Sequence, residues 1–186
     1  GAMAMAHLNP LRPSADVTLG IISPDGREAM MTHAREFAEA GIPFVFDPGQ
    51  GLPMFNGDEL MELIRLATWV TVNDYEGRML CDRTGLDFAA ISNQCKGLIV
   101  TLAEHGCDVW EHGQCTRVAG VPATAVVDPT GCGDAFTAGL IAGLNHGWDI
   151  EKSARFASAC GGLVATGLGS DAGIVDFAKT EKLMNT

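Results

Sequence analysis

Gly97-Leu98-Ile99-Val100-Thr101-Leu102 is an apolar run with no polar alternation. A strand with one wet face shows a polar residue at every second position, so continuous apolarity implies burial on both faces, as in a parallel sheet covered by helices. Toward the N-terminus the same kind of run recurs. Trp69-Val70-Thr71-Val72 and Pro43-Phe44-Val45-Phe46 read as buried strands, and Val17-Thr18-Leu19-Gly20-Ile21-Ile22 as a short, partly β-branched one. Between these runs the apolar spacing becomes helical. Met30, Ala34, Phe37 and Ala38 lead to a stop at Gly41, Leu60, Leu63, Ile64 and Ala67 follow an Asp58 cap, and further helices are predicted from Asp74 onward and around Phe88 to Gln94. This alternation predicts an α/β fold, a Rossmann-like open, mostly parallel sheet with helices on both faces.

Toward the C-terminus the alternation breaks. Asp108-Val109-Trp110-Glu111, a His112-Gly113 turn and Cys115-Thr116-Arg117-Val118 read as a β-hairpin, and Ala123 to Val127 as a last strand. A helix is expected from Asp134 to about Asn145, and another, capped by Asp149, through about Ala165. The chain has no repeat, linker or low-complexity tract.

Of the 186 residues, 47% are hydrophobic and 19% charged, enough to bury one substantial core, so a single α/β domain over residues 1–186 is expected. Twelve Lys and Arg face 23 Asp and Glu, a formal net charge of -11 that opposes nucleic acid and anionic membrane surfaces as partners. No window approaches the roughly 18 apolar residues of a membrane span, and no signal-peptide pattern opens the chain, which points to the cytoplasm. Six scattered cysteines without a C-x-x-C pair fit neither a zinc cage nor a disulfide framework. Whether Gly1-Ala2-Met3 is native or an added scar stays open.

In an open parallel sheet, ligands bind beyond the carboxyl ends of the strands. Four segments are expected there: Asp47-Pro48-Gly49, Asn73-Asp74-Tyr75-Glu76, the loop after Leu102, and Asp128 to Asp134. In Asp128-Pro129-Thr130-Gly131-Cys132-Gly133-Asp134-Ala135-Phe136, glycines let the backbone turn tightly and aim N–H groups outward at a helix start, an arrangement suited to an anion. Asp134 could orient a hydroxyl and accept its proton while a phosphoryl group moves. The plain alternative is a helix cap, and a Cys132 nucleophile is a further one. Asn73 and Glu76, at i and i+3, read equally as a capping box or as residues facing a common mouth.

The nine-residue string resembles the C-terminal signature of the ribokinase/PfkB family of carbohydrate and nucleoside kinases, with Pro129 and Cys132 as departures. Together with Asp47-Pro48-Gly49 and Asn73-Asp74-Tyr75-Glu76, it looks most like the adenosine and nucleoside kinases of that family. The resemblance implies ATP-dependent phosphoryl transfer to a nucleoside hydroxymethyl group, adenosine being the favoured acceptor. Asp134 would be the base, and the N–H groups of Gly131, Cys132 and Gly133 the anion hole. Asn73 and Glu76 match an Asn-x-x-Glu motif that places Mg2+ and its waters. Thr101-Leu102-Ala103-Glu104-His105-Gly106 is similar to a Thr-Leu-Gly loop along the nucleotide, so Thr101, Ala103 and Gly106, with Thr130 and Ser158, are nucleotide contacts by resemblance. Ala103 stands where the family has glycine, and its methyl group resists close approach and positive φ. The stretch Val164 to Gly173 matches the region that closes the adenine pocket and holds K+, with Asp128, Thr130, Val164, Gly167, Gly169 and Gly173 as its ligands.

The likeness implies a partial ribokinase-like fold, the C-terminal part of a longer kinase chain without its N-terminal part and lid. Self-association through surfaces that the missing part would cover is then expected. The alternatives are a sugar kinase of the same family, or a nucleotide-binding fragment without catalysis.

Overall fold

The computed structural model describes residues 2–12, 16–121, 125–169 and 176–185. Six strands, β1 (Gly20–Ile22), β2 (Phe44–Phe46), β3 (Trp69–Asn73), β4 (Gly97–Thr101), β5 (Cys107–Glu111) and β6 (Gln114–Val118), form one sheet in the order β1-β2-β3-β4-β5-β6. β1, β2 and β3 are parallel, with Ile21 opposite Val45 and Phe46 opposite Val70. β5 and β6 are joined by His112 and Gly113, both at positive φ (50° and 78°), the twist that a two-residue antiparallel hairpin requires. All three residues of β2 and the first four of β4 are buried, so both faces of the sheet are covered, as the unbroken apolar runs demand. This is the Rossmann-like, mostly parallel architecture expected from the alternation.

The helices are α1 (Arg27–Glu39), α2 (Gly57–Leu66), α3 (Asp74–Thr84), α4 (Phe88–Ser92), α5 (Cys132–Asn145), α6 (Ile150–Val164) and α7 (Phe177–Met184). Two expectations are corrected. Asn56, not Asp58, caps α2, because its side chain accepts the Glu59 N–H at 3.0 Å while Asp58 sits one residue inside the helix. Of the strand expected over Ala123 to Val127, Ala123 and Thr124 lie outside the described residues. Ala125 to Val127 are not in a strand, and the Val127 N–H goes to the Ala165 carbonyl at 2.8 Å.

The chain gathers into two compact units: residues 1–100 with 110–115, and 101–109 with 116–186. In the first, successive parallel strands step the same way across the sheet, so right-handed crossovers put α1 and α2 on one face, where they pack together. Their apolar stripes meet β2: Phe44, Phe46, Leu60, Leu63 and Ile64 have no exposed surface, and Phe37 stacks on Phe44 at 5.7 Å. Each such side chain removed from water contributes roughly 1.5–3 kcal/mol. Parallel pairing brings Ser23-Pro24-Asp25, Asp47-Pro48-Gly49 and Asn73 to the same carboxyl edge of β1, β2 and β3.

In the second unit, α5 and α6 run antiparallel through small residues. A Cβ on Gly139 would stand 2.7 Å from Cys160 Sγ and 2.8 Å from Ala157 Cα, and one on Gly143 would stand 2.7 Å from Ser153 Oγ. Trp148, Phe156 and Phe177 form an aromatic cluster that seats α7, with Phe156 and Phe177 rings 4.7 Å apart. The tight helix pair fixes the start of α5 beside the end of α6, where Cys132 O would lie 3.2 Å from a Cβ on Gly161.

Candidate active site

In the second unit the chain enters α5 through Pro129-Thr130-Gly131. Gly131, at φ 83°, is the N-cap and has no side chain with which to cap. A helix start leaves its first N–H groups without partners inside the helix. Cys132 N–H is taken by Pro129 O at 3.1 Å, and the first regular bond runs from Ala135 N–H to Gly131 O at 2.9 Å. Among the described residues, the N–H groups of Gly131, Gly133 and Asp134 therefore donate to nothing. Of the three amides expected to form an anion hole, that of Cys132 is taken up in the turn, while those of Gly131 and Gly133 are open, as is that of Asp134. The rule that the first four helical N–H groups are unpaired already pointed to that amide.

Asp134 is exposed in the first turn and caps nothing, which removes the plain capping alternative for its carboxylate. The helix dipole favours a negative charge there and equally favours an anionic ligand at the open amides. Partial burial and the nearby charge of Asp128 push the Cys132 thiol up, so it is not held as a thiolate and lacks the activation a nucleophile requires. Burial likewise pushes half-buried Cys95 and buried Cys160 up to about 11 and buried Cys107 to about 12, in keeping with inert thiols.

Asp128 precedes this turn. Its Oδ1 accepts the Thr130 N–H at 2.9 Å and its Oδ2 accepts the Gly169 N–H at 3.0 Å. The Thr130 hydroxyl and amide, and then the Gly169 amide, hold the Asp128 carboxyl below the usual carboxylate range. Of the other residues expected around a cation, Val164 O accepts the Gly167 N–H at 3.1 Å, the carbonyls of Gly167 and Gly169 accept nothing from the described residues, and Gly173 lies outside them. Ser158 is half-buried on α6.

The loop after β4 also belongs to this unit. Ala103 takes φ 50° despite its methyl group, a conformation costing an L-residue about 1 kcal/mol, so the backbone turn survives the departure from glycine. Gly106, at φ 87°, lies against the chain after β6: a Cβ there would stand 2.1 Å from Val118 O and 2.4 Å from Gly120 N. That close approach alone demands glycine at position 106. An apolar cavity of about 190 Å³ lined by Ala135, Ala138, Phe156, Cys160 and Phe177 holds none of the predicted site residues.

In the first unit, Asn73 ends β3 and caps α3. Its Oδ1 accepts the Glu76 N–H at 2.8 Å, and Glu76 Oε2 accepts the Asn73 N–H at 2.9 Å. The capping-box reading is therefore realised. It occupies one Glu76 oxygen; Oε1 has no partner among the described residues. A single free carboxylate oxygen suits a Mg2+ ion that keeps most of its waters. Among the described residues, no three of His, Cys, Asp and Glu converge as a direct metal cage.

The chain thus combines an open α/β sheet with a glycine-turned helix start that carries an acid in its first turn. Residues 14–176 match the pfkB family carbohydrate kinases, and the chain belongs to that family. It is 40% identical to the nucleoside kinase of Burkholderia thailandensis solved in complex with inosine, covering 99% of this chain and 60% of that one with a TM-score of 0.94. A second structure of that enzyme, in complex with ADP-inosine, gives a TM-score of 0.93 over 99% of this chain and 58% of that one, again at 40% identity. The nucleoside kinase of Methanocaldococcus jannaschii is 26% identical over 134 residues, covering 72% of this chain and 44% of its own length. The chain thus spans about half the length of the curated relatives it matches. No helix among the described residues is long and apolar enough to cross a membrane.

Proposed function

We propose that the protein acts in ATP-dependent phosphoryl transfer to the hydroxymethyl group of a nucleoside, with adenosine as the favoured acceptor. The observation that carries this reading is the start of α5, where three amides stay open, one of them that of the exposed, uncapping Asp134. The amides of Gly131, Gly133 and Asp134 receive the charge that spreads over the phosphoryl oxygens during transfer. Asp134 accepts the proton of the acceptor hydroxyl as that oxygen bonds to phosphorus, and the bond from phosphorus to the bridging oxygen of ADP breaks. Asp134 acts mainly as a positioning acceptor, adequate for a loose transition state in which the nucleophile is deprotonated late.

Thr101, Ala103, Gly106, Thr130 and Ser158 are proposed to line the nucleotide. Glu76, with Asn73 holding its other oxygen, would hold Mg2+ through its waters, and the ion supplies charge neutralisation at the phosphates. Asp128, Thr130 and the carbonyls of Val164, Gly167, Gly169 and Gly173 offer only hard oxygen donors, the chemistry that suits K+. Relatives of this family solved with inosine and with ADP-inosine support a purine nucleoside and an adenine nucleotide as ligands. The family description as carbohydrate kinases favours, as a second reading, a sugar acceptor at the same site. Self-association of the 186-residue chain is also proposed.

The test is coupled ADP release by the longest native chain with adenosine, inosine, ribose and fructose as acceptors. Asp134→Asn is expected to lower turnover roughly 10²- to 10⁴-fold while thermal stabilisation by ATP persists. Unchanged turnover removes Asp134 from the mechanism, and stabilisation by ATP without turnover for any acceptor leaves a nucleotide-binding module.

A further inference from the structure

Among the described residues, the chain that follows α6, 165–169, makes few long-range bonds. Its own bonds are local turns, Thr166 N–H to Leu163 O at 3.2 Å and Gly167 N–H to Val164 O at 3.1 Å. Leu168 is 81% exposed, so apolar burial does not anchor it. The side-chain connection that crosses the sequence is made by Asp128, which lies 41 residues from Gly169 and accepts its N–H. The other carboxylate oxygen takes Thr130 N–H, in the turn that enters α5. Behind them, Ala165 O accepts the N–H groups of both Val127 (2.8 Å) and Asp128 (3.3 Å), so the two segments are stitched twice. Pro129 fixes the backbone just after the acid, and φ 82° at Gly169 turns that amide out of the helical path.

We propose that Asp128 is a positioning residue: its carboxylate ties the loop after α6 to the entrance of α5 by accepting a backbone N–H from each, and so orders this side of the phosphate-donor site without a bound cation. The idea deepens the kinase reading and rests on it for its consequence, but the clamp itself is a property of the fold. An ionised carboxylate has about four acceptor positions, so two amides and the Thr130 hydroxyl leave room for a cation that adds to the clamp. An amide in place of one oxygen would set an N–H donor against a backbone N–H and release one segment.

Amide hydrogen exchange on the 186-residue chain, in N-methylglucamine chloride free of potassium and sodium, tests the clamp directly. Gly169 and Thr130 are expected to be protected in the unsubstituted chain, and in Asp128→Asn the faster-exchanging of the two should gain roughly tenfold in rate, with Leu140 in α5 unchanged. Added potassium chloride should not restore protection in the variant. Gly169 and Thr130 exchanging freely in the unsubstituted chain until potassium is added would overturn the proposal, and this arm holds even if the variant fails to fold. In the longest native chain, Asp128→Asn should raise KM for ATP about tenfold, by a larger factor than kcat falls. An equal effect on both with exchange unaltered would also overturn it. Absence of turnover in the unsubstituted protein would instead count against the kinase reading and leave the exchange result standing.

Discussion

Asn56-Gly57-Asp58-Glu59 and Asn73-Asp74-Tyr75-Glu76 open two helices of the same unit with the same device. In each, the Asn side chain accepts the Glu N–H (3.0 and 2.8 Å) and the Glu returns an oxygen to the Asn N–H (3.0 and 2.9 Å). They differ in the second carboxylate oxygen. Glu59 Oε1 is met by the Arg27 guanidinium from the start of α1, and its side chain is 17% exposed. Glu76 Oε1 meets no cation among the described residues, and Asp74 beside it pairs outward with Arg78. A capping box thus says where a helix starts; whether it can also serve a ligand depends on what neighbouring elements leave unbound.

Neutralising the glutamate of each box gives the largest expected contrast. Glu76→Gln keeps the cap, since glutamine serves a capping box, but removes the charge, and should lower Mg2+-dependent ATP turnover of the longest native chain roughly 10- to 100-fold with little change in Tm. Glu59→Gln should leave turnover alone. Equal loss in both variants, read by ADP release over a Mg2+ titration, would erase the functional difference between the boxes. A smaller effect is shared: Asn56→Ala and Asn73→Ala should each lower stability by about 1 kcal/mol in denaturant melts. If only one does, the two caps are not equivalent. Smallest is Arg27→Met, which removes an exposed ion pair and should change stability by no more than about 1 kcal/mol while leaving turnover unaffected.

Much of this was legible before any coordinates. Local signals placed β2, β3 and β4, α1, the hairpin turn and the Asp149 cap, because each depends on residues within a few positions of one another. The sequence does not separate Asn56 from Asp58, because Asp58 offers the same chemistry two residues later; which one caps depends on the φ and ψ at which the chain arrives. Helix α7 went unpredicted because its place is decided by Phe177 joining Trp148 and Phe156, partners distant in sequence. At the candidate site, spacing brought out Asp134 and Asn73 with Glu76, but not that Cys132 N–H is consumed by the turn or that Asp128 reaches Gly169.

The amino-acid order alone determined the α/β alternation, the helix that ends at Asn145 and the Asn73 and Asp149 caps, since these follow from period, composition and short-range hydrogen bonding. Only the tertiary structure decided which amides and which carboxylate oxygens remain free. Freedom of a polar group depends on every chain segment that folds up against it, and residues as far apart as Asp128 and Gly169, or Arg27 and Glu59, meet only once the whole chain has packed.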